Sequence, residues 1–215
     1  MLNPEFAINA DPRCACLLLL DTSSSMEGER IRALNEGLRA FEGDIQEDSL
    51  ARRRVEIAII TFGGSVDRVL DFTPAGSFQA PTLSARGATP MGRAITEGVQ
   101  LVKDRKAEYK SNGVLYYQPW IFMITDGEPT DEWEAAAKLT RAEAAAKSLT
   151  FFAVGVGEAN TAVLKQITDR VLKLDGLKFR ELFIWLSQSQ QRVSSSKVGE
   201  QTPLPSVGFG SPVGG

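Results

Sequence analysis

The sequence predicts an α/β protein: a doubly wound, mostly parallel sheet of about six strands, one of them an antiparallel edge strand, with helices on both faces. Three observations predict it. Unbroken apolar runs alternate with stretches whose apolar residues recur every three or four positions, as buried parallel strands alternate with amphipathic helices. One Gly-Gly pair marks a hairpin, and so a single antiparallel strand. The 215 residues are 43% apolar and 24% charged, enough for a full core without a disulfide or structural metal.

The elements follow in order. Residues 15–21 are apolar up to a closing Asp21, the first buried strand. Ile31, Leu34, Leu38, Phe41 and Ile45, spaced 3, 4, 3 and 4, form one face of a helix. Residues 55–62 are the second strand. Gly63-Gly64 turns the chain into Val66, Val69, Leu70 and Phe72, a short antiparallel edge. Residues 73–90, rich in Pro, Gly, Ser and Thr, predict a long surface loop. Met91, Ile95, Val99 and Val102 stripe the next helix, and Trp120–Thr125 is the third parallel strand. Residues 131–147 predict an alanine-rich helix, with Asp131, Glu132 and Glu134 at its start and Lys147 at its end. That order suits the helix dipole, and Glu134–Lys138 and Glu143–Lys147 are i,i+4 pairs. Residues 149–156 form the fourth strand, Thr161–Ile167 a short helix, Val171–Leu174 the last strand and residues 179–186 the closing helix. Strands and helices in this alternation imply right-handed crossovers, with ligands bound beyond the carboxyl ends of the strands.

From 187 to 215 the composition changes: 19 of 29 residues are Ser, Gln, Gly or Pro and three are charged. We divide the chain into a domain over 12–186 and a tail over 187–215 that is mobile or docks extended after Ser196. Ile184 and Trp185 point away from the closing helix's core stripe, and either the tail, the favoured reading, or a partner is expected to cover them.

Several functions are excluded at once. There is no histidine, so no Ser-His-Asp or Cys-His triad and no histidine-bound zinc or iron. A net charge of −3 argues against a nucleic-acid partner. The longest apolar run, residues 14–20, is far short of the ~18 residues a membrane span needs. Residues 1–5 carry no basic segment of a signal peptide. Cys14 and Cys16 would share one face of a strand, where they read as two reduced thiols. Together these place the protein in the cytoplasm, away from membranes.

Chemistry concentrates in three loops. Asp21-Thr22-Ser23-Ser24-Ser25 closes the first strand, Thr125-Asp126-Gly127 closes another, and Thr89 precedes a helix in Gly87-Ala88-Thr89-Pro90-Met91. Two carboxylates and three hydroxyls make an all-oxygen site for a hard divalent cation, with room for one outside ligand. Simpler readings explain less. Helix capping by the serines leaves Asp126 and Thr89 without a role. A phosphoryl-accepting Asp21 would have a second aspartate where Ser23 stands. Gly155-Val156-Gly157-Glu158-Ala159-Asn160 lacks the last glycine of a dinucleotide fingerprint, and no phosphate-binding G-x-x-x-x-G-K-[ST] occurs. Arg52-Arg53-Arg54 reads as a solvated rim.

These residues resemble the von Willebrand factor A family and its metal-ion-dependent adhesion site: an Asp-x-Ser-x-Ser run, a distant Thr and a second Asp, matched by Asp21, Ser23, Ser25, Thr89 and Asp126. The resemblance covers residues 12–186 and implies a Rossmann-like fold. It also implies a Mg²⁺ (or Mn²⁺) at those five residues, and a protein partner that offers an Asp or Glu to the metal. Asn3-Pro4, Arg13-Cys14-Ala15-Cys16, the stretch from Thr125 to Asp131 and the stretch from Phe179 to Ser187 are similar to the bacterial TerY-like subgroup. That likeness implies a cytoplasmic tellurium-resistance or stress-response role beside kinase-like or phosphatase proteins. The expected function is therefore a non-enzymatic, metal-dependent protein-binding module. The alternatives are a metal-dependent phosphoryl-transfer or hydrolytic enzyme, with no general base in sight beyond the ligands, and a metal-independent structural subunit. Glu27 and Glu128 would flank the site and add negative potential.

Overall fold

A computed structural model of the chain describes residue 6 and residues 9–213; residues 1–5, with Asn3-Pro4, lie outside the described residues. Seven strands form one sheet: β1 (Cys14–Asp21), β2 (Val55–Gly63), β3 (Ser65–Pro74), β4 (Trp120–Thr125), β5 (Thr150–Val156), β6 (Val171–Leu174) and β7 (Gly210–Pro212). Their spatial order is β3-β2-β1-β4-β5-β6-β7. The five central strands are parallel, and β3 and β7 lie antiparallel at the two edges. The mostly parallel architecture is thus as expected, with a seventh strand added. Gly210-Ser211-Pro212 lacks the apolar, β-branched pattern of a strand and pairs only because the tail is carried to β6.

The helices are α1 (Glu29–Glu47), the one-turn α2 (Ala51–Arg54), α3 (Met91–Ser111), α4 (Glu134–Ala145), α5 (Thr161–Ile167) and α6 (Phe179–Ser195). Side-chain alternation along each strand divides the core in two. Cys14, Cys16, Leu18 and Leu20 of β1 face Leu34, Leu38 and Phe41 of α1 and Phe179, Leu182, Phe183 and Leu186 of α6. Leu17 and Leu19 face Ile95, Val99 and Val102 of α3 and Ala136 and Ala137 of α4. Cys14 and Cys16 are buried free thiols on the same face.

Three local expectations are corrected. The closing helix does not end at Leu186: it runs nine residues further, because Ser187, Ser189, Gln190 and Ser194 are buried against the domain. Ser189, for example, returns its hydroxyl to the Trp185 carbonyl at 2.7 Å, which lets a polar residue sit inside. The alanine-rich helix is shorter than residues 131–147. Asp131 instead caps α3, accepting from Gly92 N–H and Arg93 N–H at 2.9 Å each, and Lys147 adopts φ 53° beyond the helix end. Glu143 accordingly pairs with Lys103 at 2.9 Å rather than with Lys147. The Arg triplet is only partly a rim: Arg52 and Arg53 are exposed, but Arg54 pairs with Asp11 at 3.1 Å and donates to the Ser194 carbonyl at 2.7 Å.

The tail after Ser196 is mostly extended and packed on the domain. Phe209 is fully buried against Trp185, with ring centroids 5.6 Å apart, and Trp185 Nε1–H donates to the Pro205 carbonyl at 2.9 Å. Trp185 thus does not point away from the core as expected: it packs on Phe122 and Phe152 within it, the tail covers it further, and Ile184 is half-buried. The loop after β3 is anchored inward too, since Phe78 is buried and Asn35 holds both the N–H and the carbonyl of Leu83. Leu20 is in register with Ile124, so β1 and β4 end side by side. From β1 the chain goes first to β2 on one side and later to β4 on the other, which opens a crevice above those two ends.

Candidate metal centre

All five predicted side chains stand around that crevice. Asp21, the last residue of β1, is fully buried. Its Oδ1 accepts from Ser23 N–H at 2.8 Å and its Oδ2 from the Thr125 hydroxyl at 2.6 Å. The chain then turns through a 3₁₀ segment, Ser24–Met26, which sets the Ser23 and Ser25 hydroxyls 2.9 Å apart in a mutual hydrogen bond. Ser25 Oγ donates to Asp126 Oδ1 at 2.6 Å, tying the loop after β1 to the loop after β4. No serine side chain caps the 3₁₀ segment or α1. The simple capping reading is thereby replaced by contacts between the predicted residues themselves.

Thr89 is positioned through its backbone. Its N–H donates to Thr130 Oγ1 at 3.0 Å, and its carbonyl accepts from Thr130 N–H at 2.9 Å and Met91 N–H at 2.8 Å. This leaves the threonine hydroxyl to face the crevice, as Gly127 reveals. A Cβ on Gly127 would lie 3.3 Å from Thr89 Oγ1, 3.5 Å from Ser25 Oγ and 3.7 Å from Asp21 Oδ2. Oxygens from two separate segments, the loop after β1 and the one before α3, thus converge on one small space beside the loop after β4.

The electrostatics favour a cation there. Burial raises the Asp21 carboxyl above the usual carboxylate range; hydrogen bonds from Ser23 and Thr125 oppose that shift, and the charge of Asp126 reinforces it. Two enclosed carboxylates this close repel, and a positive charge between or beside them offsets the cost. The donors are all hard oxygens, with no imidazole and no thiol, which suits Mg²⁺ or Mn²⁺ over softer ions. Among the described residues no three His, Cys, Asp or Glu side chains gather as a metal site. The candidate here emerges only when hydroxyls are counted as ligand-type groups.

Sequence reasoning missed four contributors. Thr125 orients Asp21, but as the last residue of a strand it gave no separate signal. Gly127 supplies the space. Asp131 fixes the start of α3 just after Thr89, although its place near an acidic helix start suggested another task. Arg30, which gave no signal in the sequence, pairs with Asp126 Oδ2 through Nη1. Of the two flanking acids, Glu27 is exposed and Glu128 accepts from Asn160 Nδ2 at 2.9 Å.

The family model described as von Willebrand factor type A domain matches residues 17–171. Inter-alpha-trypsin inhibitor heavy chain H1 of Bos taurus is 25% identical over 123 residues, 54% of this chain and 13% of that protein. Among solved structures, the pilus adhesin SpaC of Lactobacillus rhamnosus GG in its open conformation superposes with a TM-score of 0.67 at 17% identity, covering 86% of this chain and 31% of that one. Proximal thread matrix protein 1 from the mussel byssus, in a form with a zinc-occupied MIDAS motif, gives 0.56 at 14% identity, covering 85% and 48%. The chain thus spans less than half the length of each of these relatives. Such structural likeness at low identity establishes the fold.

Proposed function

This chain belongs to the von Willebrand factor type A domain family, and on that premise we propose that it is a metal-dependent protein-binding module. Asp21, Ser23, Ser25, Thr89 and Asp126 would hold one Mg²⁺, or Mn²⁺ in its place, and the ion supplies a Lewis-acidic position for the carboxylate of an Asp or Glu on a partner protein. The chain's own residues do the rest. Thr125 and Ser23 N–H orient Asp21. Thr130 and Asp131 place Thr89 at the head of α3. Residues 73–90 and 128–133 form a rim that selects among acidic surfaces. The convergence of three ligand-type oxygens beside Gly127 carries this reading. The zinc-occupied site of the mussel protein, which shares the fold, supports it.

We read the module as non-enzymatic, because the chain has no histidine and the crevice no base beyond the ligand set itself. We place it in the cytoplasm, in keeping with its two unpaired thiols. The likeness of residues 125–131 and 179–187 to the TerY-like subgroup suggests a tellurium-resistance or stress-response setting, with kinase-like or phosphatase proteins as partners. Calorimetric titration of Mg²⁺ and Mn²⁺ into the wild type and Asp126→Ala tests the metal: heat is expected only in the wild type, and heat in neither refutes the reading. Affinity capture with and without EDTA tests the recognition step, and equal recovery in both refutes it. Turnover of a generic phosphoester, lost in Asp126→Ala, would establish the enzyme alternative instead.

A further inference from the structure

Arg30, the second residue of α1, is tied into the site from three directions. Nη1 pairs with Asp126 Oδ2 and also donates to the Ser25 carbonyl at 3.1 Å. Nη2 lies against the turn after β5, 3.1 Å from the place a Cβ on Gly157 would occupy; Gly157, at φ +60°, has none. Each Asp126 carboxylate oxygen thus already has a partner, Oδ1 in Ser25 and Oδ2 in Arg30, and its side chain has no exposed area. The Arg30 side chain is 38% exposed, so its guanidinium has a way out toward solvent while Asp126 does not.

We propose that Arg30 is a tethered counter-cation: it holds Asp126 when no divalent ion is bound, and it competes with that ion for the same carboxylate. The proposal rests on the metal-binding reading above and specifies how that site is regulated. Two effects act in one direction. A divalent ion that draws on Asp126 must take a share of a carboxylate whose oxygens are already occupied. It must also sit close to a guanidinium that cannot lose its proton, so like charges oppose each other in an enclosed space. Arg30 therefore protects the metal-free site from the repulsion between Asp21 and Asp126, and weakens cation affinity in doing so. Occupancy becomes sensitive to the cation concentration around the protein.

The test titrates Mn²⁺ into the wild-type chain, Arg30→Gln, Arg30→Lys and Asp126→Ala, by calorimetry and by the electron paramagnetic resonance signal of free Mn²⁺. Arg30→Gln is expected to tighten the Kd about tenfold, equivalent to about 1.4 kcal/mol. Arg30→Lys should stay within about threefold of wild type, because the charge is kept. Thermal melts in EDTA provide the second readout: Arg30→Gln should melt below wild type without metal and gain more from added Mn²⁺. A Kd for Arg30→Gln within twofold of wild type, or weaker, overturns the proposal while the metal-binding reading stands. Mn²⁺ binding by neither protein overturns both.

Discussion

Replacing Thr125 with valine keeps the shape of the side chain and removes one hydroxyl with the short bond it donates and the longer one it accepts. That hydroxyl donates to Asp21 Oδ2 at 2.6 Å and accepts from Gly127 N–H at 3.3 Å. Thr125 and Asp21 are both fully buried. Water therefore cannot replace the lost donor, and a carboxylate already destabilised by burial is left with its contacts to Ser23. A hydrogen bond to a charged group contributes about 1.5–3 kcal/mol. For a domain of this size that corresponds to a fall in Tm of about 3–12 °C. Unfolding is followed by circular dichroism in EDTA, so that metal does not mask the effect. The decisive control is the same change in an Asp21→Asn background, where the acceptor is neutral and the cost should fall to about 1 kcal/mol or less. An equal cost in both backgrounds would refute the reasoning, because the loss would then come from packing rather than from the bond to a charge.

Gly127→Ala sets a methyl group 3.3–3.7 Å from three of the five predicted ligands. The Mn²⁺ Kd should weaken by tenfold or more with Tm within a few degrees of wild type, as measured by calorimetry and thermal melts. Glu56, on β2, is a second buried charge centre: it lies 3.0 Å from Arg13 Nε, without hydrogen-bond alignment, and 2.9 Å from Arg105 Nε, and it accepts from the Tyr109 hydroxyl. Glu56→Gln leaves the buried Arg13 guanidinium without a carboxylate and Arg105 with Glu108 as its acid partner, and should cost about 3–5 kcal/mol in urea unfolding, with little effect on Mn²⁺ affinity. Burial pushes the Cys14 thiol from 9.0 up to about 12 and raises Cys16 and Tyr109 as well. Because the folded values are raised, this stability is complete below pH 9 and is lost as pH climbs toward 12; the Cys14 shift alone corresponds to about 4 kcal/mol. Urea midpoints should therefore fall from pH 8.5 to 10.5, and a disulfide reagent at pH 8 should label both thiols only after unfolding.

The apolar runs in residues 15–21 and 120–125 led directly to β1 and β4, because a strand covered on both faces has no freedom to place polar residues. The same logic singled out the candidate ligands: Asp21 ends the first of those strands, Ser23, Ser25 and Asp126 follow them, and Thr89 precedes a helix with a clear apolar stripe. What escaped detection depends on partners distant in sequence. The second half of α6 is built from Ser and Gln, which read as solvent-facing until Cys14 Sγ is found 3.1 Å from Gln190 Oε1 and Arg54 on the Ser194 carbonyl. Arg30 and Thr125 likewise carry no local signal, since their importance lies in which carboxylate they meet.

The two antiparallel margins have a consequence for how the molecule meets others. On one flank β3 presents Asp67, Arg68 and Asp71, and on the other β7 ends in Pro212, a residue without an amide proton to offer. Side-by-side fusion of sheets from different molecules is thus discouraged at both borders. Growth of the sheet into a ribbon of many copies is opposed from either side.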